Sequence, residues 1–258
     1  MPYAPLAAVK HRLAVGCPLP FNVPARVAGL LLAKGRLPET TERTDTLLAR
    51  GTLVDIVELF RNPDAIRRAP RALLPALWRD NRQQVDAALR KGGHPEFRAA
   101  LDDASAPVLT LVDRDPDLAI FQILRQDAGT HLRYGLDHAM HTAIVCRLVA
   151  HRLGWPEDEA TRAFKAALTM NLSILELQGQ LAAQATPPTA SQRRQIALHP
   201  AHSREMLQTS GVTDAVWLDA VEQHHERPDG SGYPNGMTTP SELATLLHCA
   251  YTYTSKLH

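Results

Sequence analysis

Cysteine is scarce. The three residues Cys17, Cys146 and Cys249 lie far apart, form no CxxC pair and make an odd count. That pattern excludes a disulfide scaffold and a zinc knuckle, and it makes a reducing cytoplasm the expected compartment. Long apolar runs are missing as well. None approaches the roughly 20 residues needed to cross a bilayer, and the opening MPYAPLAAVKHRLAVG lacks the apolar core of a signal peptide. No membrane insertion is expected. Charge of one sign is absent too: 28 basic against 27 acidic side chains leave a net +1 over 258 residues, which excludes a polycation built to coat nucleic acid. What is present is ordinary for a globular chain, with 45% hydrophobic and 21% charged residues. The length allows one large domain or two small ones, each able to bury a core.

Two features are uneven along the chain. The first hundred residues carry 16 basic and 9 acidic side chains, the remainder 12 and 18, and ten of the twelve histidines follow residue 104. The charge split points to two units with different surfaces. The arginines are scattered with few aromatics among them, so no nucleic-acid partner is expected and the basic half serves solubility. The histidine skew matters more, because neutral imidazole is the commonest metal ligand.

Residues 1–104 read as a small α+β and linker region. GCPLPF at 16–21 suits a turn, and VAGLLLAKG at 27–35 a short hairpin with Gly29 and Gly35 in tight turns. Thr40 to Ala49 has helical spacing and Gly51 is its stop. Residues 62–104 show weak helical periodicity, interrupted by KGGHP at 91–95. From 105 to 258 nearly everything reads as helix. Apolar residues on either side of the 115–117 DPD turn have near-helical spacing. His138 to Leu153 follows, ended by Gly154-Trp155-Pro156, then an apolar helix from Glu157 to Leu177. Thr189 or Ser191 caps the next, Asp214 to His225 forms another, and a last segment starts at Leu243. The chain ends in what reads as mid-helix, so this helical domain is expected to be truncated. The expected class is mainly α, a helical bundle behind a small α+β segment.

The most informative string is HHERPDGSGYPNG, residues 224–236. Two adjacent imidazoles at a helix C-terminus can turn toward one pocket and bind a metal as neutral donors. The DGSGYP stretch has glycines that permit positive φ and can expose backbone N–H groups to an anion. The plain alternative is a solvated turn with two incidental histidines.

This string closely resembles the signature of the HD-GYP family, bacterial members of the HD phosphohydrolase superfamily. The resemblance runs over roughly 105–258 and implies a helical bundle that uses two or three metals to hydrolyse cyclic di-GMP. It carries four ligands onto this chain: His138, which stands sixteen residues before Gly154, His199 of a His-Pro pair, and His224 and His225. It also marks departures. Where the family reads AALLHDIGKI, this chain reads AALTMNLSIL, with Met170-Asn171 in place of the His-Asp pair and Ile174 in place of the lysine. Tyr251 of ATLLHCAY stands where the family has its last metal-binding aspartate. His141, His151 and His202 match no ligand position. Residues 14–60 look like the small β-containing segment that precedes some domains of this family.

A carboxylate bridging two cations brings negative charge and two oxygens; Asn171 brings one carbonyl oxygen and no charge, and Met170 a soft thioether. Ile174 cannot stabilise phosphate charge. The expectation is therefore a degenerate site with no catalytic residues. The four histidines hold a single zinc or nickel ion, or the pocket is metal-free with Met170 and Tyr251 filling it. The loop survives while the metal framework does not. The resemblance thus implies a non-catalytic protein of cyclic di-GMP signalling that binds the nucleotide, or a diguanylate-cyclase-type partner, through Arg227, Asp229, Gly230, Ser231, Gly232 and Tyr233. The alternative is a metal-dependent phosphodiesterase working with a reduced metal site.

Overall fold

The computed structural model describes residues 3–5, 23–24, 30–32, 53–55, 62–125 and 133–257. The turn expected at 16–21, the helix expected over 40–49 and glycines 29, 35 and 51 lie outside the described residues. The chain divides into two compact units, Met1–Asp80 and Asn81–His258. The first holds four short strands: β1 (Tyr3–Pro5) pairs antiparallel with β4 (Leu53–Asp55), and β2 (Val23–Pro24) with β3 (Leu30–Leu32). Tyr3 faces Asp55 in the first pair, and the second shifts register between Val23 and Pro24. Helix α1 (Pro63–Arg68) follows, capped by the Asn62 side chain, which accepts from the Ala65 N–H at 2.8 Å, with proline in its first turn.

Among its described residues the second unit contains helices and loops but no strand. Helix α2 (Leu74–Leu89) enters it, followed by α3 (Phe97–Arg114), α4 (Pro116–Leu124), α5 (Tyr134–Arg152), α6 (Glu157–Thr169), a 3-10 turn at Leu172–Ile174, α7 (Leu175–Ala183), α8 (Ala190–Thr209), α9 (Ala215–Gln223) and α10 (Glu242–Ser255). This division lies N-terminal to the change of texture read from the sequence at 104/105, which falls inside α3.

The DPD turn works as its residues demand. The Asp115 backbone N–H closes α3 on the Leu111 carbonyl, while its side chain accepts from Leu118 N to open α4, with Pro116 in the first helical turn. At the end of α5, Gly154 at φ +77° lets Trp155 N reach back to the Ala150 carbonyl, tying off the helix. Thr189, not Ser191, caps α8, in a reciprocal box with Gln192. The expected continuous helix over 157–177 is interrupted: α6 stops at Thr169, and Met170-Asn171 turn the chain into the 172–174 turn.

Helix α5 is central, with α3, α4, α6, α7 and α10 packed around it. Alanines 160, 163, 166 and 167 on α6 are fully buried, so small side chains let the α5 and α6 backbones approach closely. Arg147 of α5, buried completely, gives Nε and one terminal nitrogen to Asp113 at 3.1 and 2.8 Å, and that same nitrogen to Glu157 at 2.6 Å, joining α3, α5 and α6. Among the described residues no helix is long and apolar enough to cross a membrane.

Candidate functional site

His199, His224 and His225 bring one ring nitrogen each within 4.8 Å of one another, and among the described residues no carboxylate or thiol joins them. The orientation of two of these rings follows from their helices. Pro200 lacks an N–H, so the carbonyl of Ile196, four residues earlier, has no helical donor. His199 takes that carbonyl with Nδ1 at 2.6 Å. His224 caps the C-terminus of α9, where the last carbonyls also lack helical donors, and its Nδ1 sits 2.6 Å from the Val221 carbonyl. A carbonyl only accepts, so Nδ1 carries the proton in both rings and each Nε2 presents a lone pair. Those two Nε2 atoms face each other at 3.2 Å.

Two neutral rings in this pose repel unless a cation lies between them. Burial keeps them neutral: it pushes His199 down to about 4, against the opposing bond to Ile196, and pushes His224 and His225 well below the ordinary imidazole range, helped by neighbouring histidines. On one tetrahedral ion with nitrogens at about 2.0–2.1 Å, two imidazole nitrogens stand roughly 3.3 Å apart. The pair's spacing and orientation suit a borderline metal ion such as zinc or nickel, and His225 could serve as a third donor. The Asn171 amide is 1% exposed, and neither its Oδ1 nor its Nδ2 has a partner. An unsatisfied buried polar group costs about 1–3 kcal/mol, so the Asn171 amide marks a place where a polar partner is wanted.

The fourth expected ligand lies beside this group, near enough for its charge to act on His224. His138 does not enter the cluster. Its ring stacks on Tyr134 with centroids 5.6 Å apart and meets the edge of Tyr251 at 4.8 Å, and Thr254 lies 3.5 Å from its Nδ1. The same Tyr251 ring meets His225 at 4.9 Å and His224 at 6.2 Å. A phenol thus sits in contact with both histidine groups at the position where the resemblance places an acid. Met170, wholly buried, supplies no charge.

The 224–236 loop is organised from within. Glu226, 2% exposed, accepts the backbone N–H of Asn235 at 2.6 Å and of Met237 at 2.8 Å. Tyr233 N donates to the His225 carbonyl, Gly230 N to that of Arg227, and Ser231 N to the Asp229 carboxylate. The N–H groups at these three positions are engaged inside the loop. A Cβ at Gly232 would stand 2.5 Å from the backbone of residues 225–227, so only glycine fits. Tyr233 stacks on His225 at 4.5 Å, while Arg227, Asp229 and Ser231 lie exposed on the loop's outer edge. His202 is exposed, whereas His141 is buried in α5 away from the cluster. The sequence reading assigned no role to Glu226, Ser173, Tyr134, Thr254 or His248. His248 reaches the His224 carbonyl with Nδ1 at 3.0 Å. Only Glu226, adjoining the histidine pair, carried a visible signal.

Three expected outcomes follow from this geometry. Pro200→Ala restores a donor that competes for the Ile196 carbonyl, loosening His199; zinc affinity measured by competition with a chelating dye should fall about tenfold while thermal stability holds or rises. Glu226→Gln places an amide donor against one of two N–H groups; exchange of the Asn235 and Met237 amides should accelerate about tenfold or more, reflecting a loss of about 1.5–3 kcal/mol. Acid should destabilise the metal-free protein. Unfolded histidines bind protons near 6.5 that folded His199 refuses until about 4. Stability is then full above the unfolded value and falls as pH drops through this window, by on the order of 3 kcal/mol for His199 alone. Urea midpoints across that range, with chelator present, check it.

Comparison with known proteins adds three findings. A family model described as HD domain matches residues 123–254. A cyclic di-GMP phosphodiesterase of Pseudomonas aeruginosa is 25% identical over 189 residues, 71% of this chain and 42% of that protein, so the chain spans less than half the length of this relative. An HDG"Y"P protein from Bdellovibrio bacteriovorus has a similar fold, with a TM-score of 0.58 at 14% identity over 97% of this chain and 86% of that one.

Proposed function

The chain belongs to the HD domain family, of the HD-GYP type, and from that premise we propose a non-catalytic member of cyclic di-GMP signalling that holds one transition-metal ion and binds the nucleotide without cleaving it. The observation that carries this reading is the cluster itself, three neutral imidazoles with no carboxylate among them. His199, His224 and His225 hold the ion, with Asn171 as fourth donor and His138 set apart beside Tyr251. Such an ion would supply an electrophilic centre for a phosphate oxygen. Among the described residues no carboxylate joins the three donors, and Glu226, next to His225 in sequence, is committed to two loop amides, so the ion keeps charge with which to attract an anion. Arg227, exposed at the loop edge, offers a bidentate partner to a second phosphate oxygen, and Tyr233 presents a ring on which a base can stack. Asp229, Gly230, Ser231 and Gly232 shape the loop that carries both.

Hydrolysis needs more. With Met170 at the position of a histidine, Asn171 and Tyr251 at those of acids and Ile174 at that of the lysine, none of the four can hold a second cation or offset charge on the leaving oxygen. One observation favours the alternative of a weak phosphodiesterase: three histidines are also the donor set of some catalytic zinc sites. Metal analysis of the purified protein, calorimetry with cyclic di-GMP and a hydrolysis assay separate the two. One ion per chain, heat that disappears in Arg227→Ala, and no turnover support binding alone. Turnover that tracks the metal content supports the alternative. A protein that binds no nucleotide leaves recognition of a diguanylate-cyclase-type partner through the same loop.

A further inference from the structure

A cavity of about 220 Å³ lies in the helical unit away from the histidine cluster, and no histidine lines it. Its size limits what it can hold. A cavity of roughly 150 Å³ accommodates benzene, and drug-sized ligands need roughly 300–1,000 Å³. A cyclic dinucleotide is too large; a molecule of about ten heavy atoms is not.

The lining narrows the chemistry further. The lining is mixed: Leu89, Leu136, Leu172, Leu175 and Met206 bring apolar side chains, and Arg90 and Glu176 bring one charge of each sign to the same cavity. Arg90 uses Nε on Asp86 at 2.7 Å, which leaves the terminal nitrogens of its exposed side chain to meet a carboxylate. Glu176, also exposed, suits an ammonium. Aliphatic side chains on part of the lining, with both charges at hand, match an α-amino acid with an aliphatic side chain.

Ser173, the remaining polar residue of the lining, connects this cavity to the metal ligands. Its hydroxyl donates to the carbonyl of His199 at 3.1 Å and lies 3.0 Å from the Ser203 hydroxyl, while its backbone N–H donates to Ser203 at 3.2 Å. A ligand that moves Ser173 alters the anchor of the helical turn carrying His199. Gly92 and Leu172 both line the cavity, and a Cβ at Gly92 would lie 2.9 Å from Leu172 Cγ, so a side chain there forces Leu172 to shift.

We propose that this cavity is an effector site for a small aliphatic amino acid, coupled through Ser173 to the histidine cluster. The coupling rests on the reading of that cluster as a metal site; the binding does not.

Calorimetry of the full chain with L-leucine, and with 4-methylpentanoate and isopentylamine, which lack its ammonium and its carboxylate respectively, tests the site. L-leucine should bind one per chain, with each analogue at least about tenfold weaker, because each lacks one charged hydrogen-bond partner. Arg90→Ala, at an exposed position, should weaken L-leucine about tenfold, and Gly92→Ala should abolish binding. No heat with L-leucine at millimolar concentration overturns the proposal, as does binding unchanged in both variants. Coupling is read as a change in zinc affinity of about fivefold or more with L-leucine, and independently of metal as a shift of the His199 ring resonances. Both should disappear in Ser173→Ala while leucine binding persists. Leucine binding that leaves zinc affinity and the ring resonances unchanged overturns the coupling.

Discussion

Placing histidine at Met170 and aspartate at both Asn171 and Tyr251 in one chain should convert a one-ion protein into a two-ion protein that cleaves cyclic di-GMP. The physical obstacle in the parent is charge. Two dications close together need carboxylates between and beside them, and the pocket offers an amide, a thioether and a phenol. The substitutions supply two anions and a fourth imidazole. Removing the Tyr251 ring also clears the contact it makes with both His138 and His225. Metal stabilisation of transition-state charge is worth several kcal/mol. Turnover should therefore exceed the parent's by on the order of 10³-fold. Without metal the variant should be less stable than the parent, because two buried carboxylates then stand unpaired at a cost of several kcal/mol each. Metal content by mass spectrometry and hydrolysis followed by chromatography measure both. A folded variant that still holds one ion and stays inert would contradict the charge argument.

Zinc or nickel should raise the melting temperature of the parent by roughly 10 °C. A ligand at about a thousand times its dissociation constant adds about 4 kcal/mol, and each kcal/mol moves a domain of this size by roughly 2–4 °C. His224→Ala removes one of the two facing Nε2 donors and should abolish the shift. Tyr251→Phe keeps the ring and should preserve it, since the phenol oxygen has no part in holding this ion. Differential scanning calorimetry with and without chelator reads all three. An equal shift in His224→Ala would place the ion elsewhere.

Local signals in the sequence carried most of this architecture. The DPD turn, the Gly154 stop, the Thr189 cap and the HH pair each depend on neighbours a few residues away, and each takes the form its residues imply. The break at Met170-Asn171 was hidden, because the apolar spacing over 157–177 continues through it. The surroundings of His138 were the least legible. Its spacing to Gly154 groups it with the other histidines, yet its ring lies between Tyr134 and Tyr251. That outcome depends on two side chains from α5 and α10, which no single-helix period can reveal. The link between Pro200 and the tautomer of His199 was legible in principle: a proline four residues after Ile196 frees one carbonyl, and the preceding residue can claim it. Glu226 was visible as a letter beside the histidine pair, but its partners lie nine and eleven residues on, across a loop whose path the sequence does not state.

The Glu226 clamp and the crowding at Gly232 have a consequence for how such strings are interpreted. They tie the thirteen residues together by demands that are architectural: a carboxylate holding two amides, a glycine where no side chain fits, a ring lying flat on an imidazole. None of these demands mentions a substrate. A chain that gave up its acids would still lose its shape if it gave up this segment, so the string can outlast the reaction with which it is associated. Reading it as a marker of scaffold, and the acids as the marker of turnover, separates two inheritances that a shared family label merges.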